Sequence, residues 1–251
     1  MRHLLTLAIA LLFSLSLGLT ARAGTFNDDQ KKEMEDIVHS YLLEHPEVLN
    51  EMVDKLKVKE EKDAAASLSD TLATSSKNIF HNAVDGVVGN SNGDVTIVEF
   101  MDYNCGWCRK SIKNVQELVK KDKNIRVVMK EWPIFGENSE TAARAAMAAA
   151  KQGKYWELHQ ALFAFQGQVT PEVVMQTAKA SGLDIKKLKD DMASADVEAN
   201  LAATIKLASA LKFTGTPGFL VNKNVFPGYM ELARMESVVA DERAKGVCKD
   251  C

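Results

Sequence analysis

An α/β fold with helices set between its strands, preceded by a separate helical segment, is predicted by three observations. Residues 95–100 form an apolar strand pattern that leads into Cys105-Gly-Trp-Cys108, and a helical pattern through Ile112, Val115, Leu118 and Val119 follows. Residues 125–130 and 218–222 are further strand candidates, the latter directly after Thr216-Pro217 and followed by a turn at Lys223-Asn224 and Val225-Phe226. Between them, residues from about 138 to 211 read as a long helical insertion, with an Ala-rich stretch at 142–150, Pro171 at a helix start and a break at Ser181-Gly182. A final helix is expected from about 230 to 245.

The chain begins with a basic start, Arg2-His3, an apolar run over residues 4–19 and Ala21-Arg22-Ala23, the small-x-small pattern of a cleaved leader. An uncleaved anchor is the alternative, since the run approaches the ~20 apolar residues that span a bilayer. The polar residues Thr25 to Asp28 favour removal, so residues 1–23 are read as a signal peptide and the product as periplasmic. The whole chain has 31 Lys and Arg against 34 Asp and Glu; the leader holds two of the arginines and no acid, leaving 29 against 34, a net of −5. That balance gives no reason to expect nucleic acid as a partner. Four cysteines in 251 residues are too few for a disulfide-stapled scaffold.

Residues 24–62 form a helical arm. Met34, Ile37, Val38, Tyr41 and Leu42 recur at helical spacing; after Pro46 a second helix presents Val48, Leu49, Met52, Val53 and Leu56. Two such helices cannot bury these faces alone, so they pack on the main domain or on copies of the chain, as a dimer or trimer. Residues 63–78, rich in charge, Ala, Ser and Thr, are expected to be a linker, and residues 79–247 the main domain.

The chemistry sits in Cys105-Gly-Trp-Cys108. A helix N-terminus supplies free N–H donors and a positive dipole end, which favour Cys105 as a thiolate. A thiolate is the attacking group in disulfide exchange. Half of a zinc site and a purely structural disulfide are the alternatives, and the strand–CxxC–helix context favours redox chemistry. His45, His81 and His159 show no ligand pattern and read as surface or packing residues. The second pair, Cys248 and Cys251, can be a small tail disulfide, a flexible shuttle dithiol or a soft-metal site.

Four segments together resemble the DsbA family of thioredoxin-fold disulfide oxidoreductases, and within it the ScsC-like members with an N-terminal oligomerisation arm. They are Val98-Glu-Phe-Met-Asp-Tyr-Asn-Cys-Gly-Trp-Cys108, Lys130-Glu-Trp-Pro-Ile-Phe135, Ala149-Ala-Lys-Gln-Gly-Lys-Tyr155 and Gly215-Thr-Pro-Gly-Phe219. The resemblance implies a thioredoxin fold with a helical insertion and no cofactor. It implies Cys105 as the exposed nucleophile, Cys108 as the buried resolving thiol, and a cis Thr216-Pro217 bond facing them. Gly106, Trp107, Thr216 and Pro217 would contact substrate, and Glu99 with Lys130 would form a buried proton relay. Its implied partners are unfolded or misoxidised exported proteins and a membrane thiol-redox protein. The strong oxidases of the family have Pro-His between the cysteines; Gly106-Trp107 supplies neither rigidity nor positive charge, so an intermediate potential suited to isomerisation or reduction is expected. The group's link to copper tolerance makes copper handling, or chaperoning, the rival function.

Overall fold

The computed structural model describes residues 26–248 and 250–251. The expected leader cleavage at 1–23 lies outside the described residues. Two compact units divide the chain, one ending at Asp63 and the other spanning Ala64–Cys251.

In the first unit, α1 (Asp28–Glu44) starts at a capping box in which the Asn27 side chain accepts from the Gln30 N–H while the Gln30 side chain accepts from the Asn27 N–H. Its side chains Ile37, Val38 and Tyr41 are exposed, as are Leu49, Met52, Val53 and Leu56 of the next helix. That helix, α2 (Glu47–Phe80), continues through 63–78, where the composition suggested a linker. The physical reason is local: no Gly or Pro interrupts it, and its Lys, Glu, Ala and Leu are good helix formers.

In the second unit, the end of α2 is built into the core through Leu72, Ile79 and Phe80. Two cations from the sheet cap it: Arg126 donates to the Phe80 carbonyl and Lys130 to the Asn78 carbonyl. Positive charge at a helix C-terminus satisfies orphan carbonyls and opposes the dipole.

The sheet consists of β1 (Gly86–Gly89), β2 (Val95–Met101), β3 (Ile125–Glu131), β4 (Gly218–Val221) and β5 (Asn224–Pro227), in the order β1-β3-β2-β4-β5. Only β2 and β3 run parallel, joined through α3 (Gly106–Lys121); the other pairings are antiparallel. Sequence periodicity missed β1, a Gly-Val-Val-Gly edge strand too short to show alternation. Gly86 is required there because any Cβ would strike the Tyr155 ring.

Between β3 and β4 lie α4 (Glu137–Ala150), α5 (Tyr155–Ala164), α6 (Pro171–Ala180), α7 (Ile185–Met192) and α8 (Ala195–Ala210). The last helix is α9 (Leu232–Ala244). One face of the sheet, with Ile97, Met101, Val127 and Met129, packs on α3, α9 and most of the insertion. The other, with Val98, Phe100 and Val128, packs on the end of α2 and on α8. Both central strands are buried along their whole length, so hydrophobicity alone does not reveal which face a residue takes.

Candidate active site

β2 ends at Met101, and the loop 102–105 carries the chain onto α3 with Cys105 as its N-cap. The Cys105 sulfur accepts from the Cys108 N–H at 3.3 Å, and its thiol faces the Thr216 carbonyl at 3.2 Å. The Thr216–Pro217 bond is cis. Cys105 is only 4% exposed, contrary to the exposed nucleophile expected, because the Thr216–Pro217 loop covers it; Gly106 and Trp107 are the open part of the motif. Cys108 lies in the first turn of α3, 1% exposed.

This arrangement pulls the Cys105 thiol from its ordinary 9.0 down to about 6. The largest cause is the hydrogen bond from the Cys108 thiol, opposed by burial and helped by the Thr216 side chain and the N–H groups of Cys108 and Trp107. The helix end thus contributes, but the neighbouring thiol contributes more. Cys108 is driven far the other way, first by burial and then by its bond to Cys105 and the nearby Glu99. One cysteine is a thiolate at neutral pH and its partner holds its proton. The iodoacetamide alkylation rate of Cys105 should therefore rise through pH 6 and level off about one unit above, in contrast to the rise near 8.5 of a free cysteine.

Glu99 lies on the α3 side of β2, below the cysteines, 1% exposed and with Oε2 unpartnered. Burial raises its carboxyl to about 8; the Ser111 hydroxyl opposes this in part and Cys105 adds to it. Lys130 is not its partner, which corrects the expected relay pair. In the β2–β3 register Glu99 faces Met129 while Lys130 faces Phe100, so the two side chains leave opposite faces of the sheet. Lys130 is fully buried and ion-paired with Asp85, whose other oxygen accepts from Asn200.

The loop before Cys105 is framed by residues to which the sequence alone assigns no part in the site. Asp102 accepts from the N–H groups of Asn104 (2.7 Å), Ile134 (2.7 Å) and Phe135 (3.2 Å) and from Ser139 Oγ (2.7 Å). Asn104 bonds both the N–H and the carbonyl of Val169. Tyr103 donates to Glu131, which also accepts from Tyr155, with His159 Nδ1 beside both phenols. Asp-x-Asn before a helix cap is a turn signal that could have pointed to Asp102 and Asn104.

Trp107, 58% exposed, packs on Tyr229 at 5.3 Å between ring centres, with the Lys110 ammonium over both rings. Lys110 also pairs with Glu231 at 3.2 Å. A groove of about 420 Å³ between α3 and α5, lined by Gly106, Arg109, Ile112 and Phe163, opens beside Cys105. Exposed Phe135 and Phe165 add apolar surface.

Cys248 and Cys251 are joined in a disulfide. Among the described residues no group of three or more His, Cys, Asp or Glu is arranged to hold a metal ion.

A cysteine of lowered pKa at a strand–helix junction, a buried second thiol and a cis-proline loop against Cys105 are the arrangement of a thioredoxin fold. Residues 96–240 match the DSBA-like thioredoxin domain, and residues 30–63 match the copper resistance protein ScsC N-terminal domain. The chain belongs to the DSBA-like thioredoxin family.

A solved thioredoxin-like oxidoreductase from Silicibacter pomeroyi is 43% identical, with a TM-score of 0.65 over 67% of this chain and 97% of that one. A Proteus mirabilis ScsC variant with a linker deletion shares the fold at 21% identity, TM-score 0.67, over 89% of this chain and 99% of that one. A periplasmic thioredoxin-like protein from Salmonella enterica serovar Typhimurium shares it at 24% identity, TM-score 0.58, over 67% and 95%. Among curated proteins, a Na(+)/H(+) antiporter NhaA 1 of Salinispora arenicola is 31% identical over 62% of this chain. The chain spans about a quarter of the length of the curated relatives it matches (24% for that antiporter).

Proposed function

We propose that this protein is a periplasmic disulfide isomerase and reductase with some oxidase activity, acting on unfolded or misoxidised exported proteins through Cys105 and Cys108. The observation that carries the reading is the division of labour between the thiols: Cys105 is a thiolate at neutral pH while Cys108 keeps its proton. The Cys105 thiolate attacks a substrate disulfide, forming a mixed disulfide and releasing a substrate thiolate. If that thiolate, or another in the substrate, attacks a substrate sulfur, the bonds are rearranged and Cys105 is released unchanged. If Cys108 attacks Cys105 instead, the substrate leaves reduced and the two electrons remain with it, while Cys105–Cys108 becomes the disulfide. A membrane thiol-redox partner then restores the dithiol.

Glu99 is the group placed to exchange a proton with Cys108. Its carboxyl, neutral below about pH 8, gives the proton that Cys108 takes up when the disulfide opens, and the carboxylate so formed takes it back when Cys108 attacks Cys105. Lys130 has no part in this step. Gly106, Trp107, Thr216 and Pro217 form the substrate surface, Trp107 offering a broad apolar face and Thr216 a backbone edge for strand addition. Without a histidine beside Cys105, the Gly106-Trp107 pair supports an intermediate potential.

The arm supports oligomerisation. Ile37, Val38, Tyr41, Leu49, Met52, Val53 and Leu56 are an exposed apolar set suited to self-association as a dimer or trimer, which would place several active sites around one substrate. Deleting residues 24–62 should lower the solution mass to that of a monomer and abolish refolding of scrambled ribonuclease, while insulin reduction persists. An unchanged mass, or full isomerase activity in a monomer, overturns the assembly.

A further inference from the structure

Asn104 immediately precedes Cys105, yet its side-chain bonds run to the helical insertion. Its Oδ1 accepts from the Val169 N–H at 2.8 Å, and its Nδ2 donates to the Val169 carbonyl at 3.3 Å and to Ser139 Oγ at 3.1 Å. The two bonds to Val169 copy the way one strand residue meets another, and they need a donor and an acceptor on one planar group. Ser139 Oγ in turn donates to Asp102, whose other oxygen accepts from the N–H groups of Ile134 and Phe135. From α3, Arg109 Nη2 donates to the Gly167 carbonyl at 3.1 Å. Asn104 and Arg109 thus hold residues 165–169, between α5 and α6, against the start of α3, while Asp102 holds Ile134 and Phe135.

Both tethered segments border an open cleft of about 500 Å³, lined by Asn104, Gly106, Phe135 and Gly167 among others. Phe135 is 54% exposed, and the exposed Phe165 ring lies beside Gly167. An apolar group placed in the cleft would remove such ring surface from water as well as its own, which is favourable in proportion to the area covered. Val169 itself is wholly buried in the core, so without Asn104 the segment stays attached but loses the bonds that fix its backbone.

We propose that Asn104 is a positioning residue that shapes this cleft into a second substrate subsite, for an apolar side chain of the extended segment flanking the attacked cysteine. The inference rests on the proposed reaction of Cys105. The subsite lies on the insertion side of the motif, apart from the Trp107–Tyr229 pair, and shares Gly106 with the substrate surface described above. No group in it joins the exchange. It acts by binding, lowering the KM of chains that bring an apolar residue to it while leaving the chemical step as it is.

The test uses the full chain and two disulfide-linked peptide dimers, identical except that leucines flank the cysteine in one and serines in the other. Reduction is followed in turnover with glutathione, glutathione reductase and NADPH, after subtracting the rate without the protein. The leucine peptide should show a KM about tenfold below that of the serine peptide, at similar kcat. Asn104→Ala and, separately, Phe135→Ser should each raise the leucine-peptide KM severalfold toward the serine value. In both, kcat should stay within about twofold and the pH midpoint of Cys105 alkylation should not move. Equal KM values for the two peptides in the unaltered chain overturn the subsite. A KM unmoved by Asn104→Ala, or a lower kcat with a shifted alkylation midpoint, overturns the role of Asn104. If Asn104→Ala does not fold, Phe135→Ser at its exposed position still decides, and an unmoved KM there overturns the subsite. Reduction of a small aromatic disulfide by the unaltered chain reports the Cys105 chemistry without flanking residues. Its absence removes the proposed function; its presence with peptides that are not distinguished removes only the subsite.

Discussion

Replacing Cys105 by serine should reduce insulin-disulfide reduction and scrambled-ribonuclease refolding to the uncatalysed rate, a loss of about a thousandfold or more. A serine hydroxyl is neither ionised at neutral pH nor able to form a mixed disulfide, so the loss falls on the chemical step. Cys108→Ser should behave differently. The nucleophile remains, but the thiol that releases a trapped substrate is gone, so Cys105 mixed disulfides should accumulate and be visible on non-reducing gels. Disulfide chemistry that survives Cys105→Ser would overturn the proposal that Cys105 is the nucleophile. The two variants thus separate attack from resolution, the roles that the burial and pKa contrast assign to the two sulfurs.

Asp85→Ala should be the most destabilising single change away from the cysteines, costing about 3–5 kcal/mol in urea unfolding. Lys130 is fully buried, and Asp85 is its carboxylate partner on the same side of the sheet. Burial lifts the Asp85 carboxyl and depresses the Lys130 ammonium, each shift opposed by the other charge. Removing the carboxylate leaves a desolvated cation with only the Asn78 carbonyl to receive it. Pairing Asp85→Leu with Lys130→Met should recover most of the loss, since apolar groups can replace a buried ion pair at little cost. If the double variant retains the pH dependence of Cys105 alkylation, the pair belongs to the architecture that ends α2; a shifted profile would return Lys130 to the redox site.

Much of the site was legible from local pattern. Val95 to Phe100, the CxxC pair and the helix after it are adjacent in the chain, so the strand and the cysteines at the start of the helix follow from short-range geometry. The arm was legible for the same reason, because helical spacing marks an apolar face whether or not anything covers it. The fold family came from four quoted segments taken together, with residues 96–240 matching the DSBA-like thioredoxin domain. α2 runs on through the Ser-, Thr- and Lys-rich residues expected to be a linker because its end is held by Arg126 and Lys130 from a distant strand.

By itself the sequence determined the CxxC pair, its place at a helix N-terminus and the presence of a helical arm with an apolar face. Those features depend on residues a few positions apart. Tertiary structure alone decided which face Lys130 takes, since a buried parallel strand has no hydrophobic alternation and one step of register moves a side chain through the sheet. It also decided that Cys105 lies beneath Thr216, more than a hundred residues away, and that the second CxxC is docked beside Arg126. Contacts between such distant segments arise only when the sheet assembles, so no local pattern encodes them.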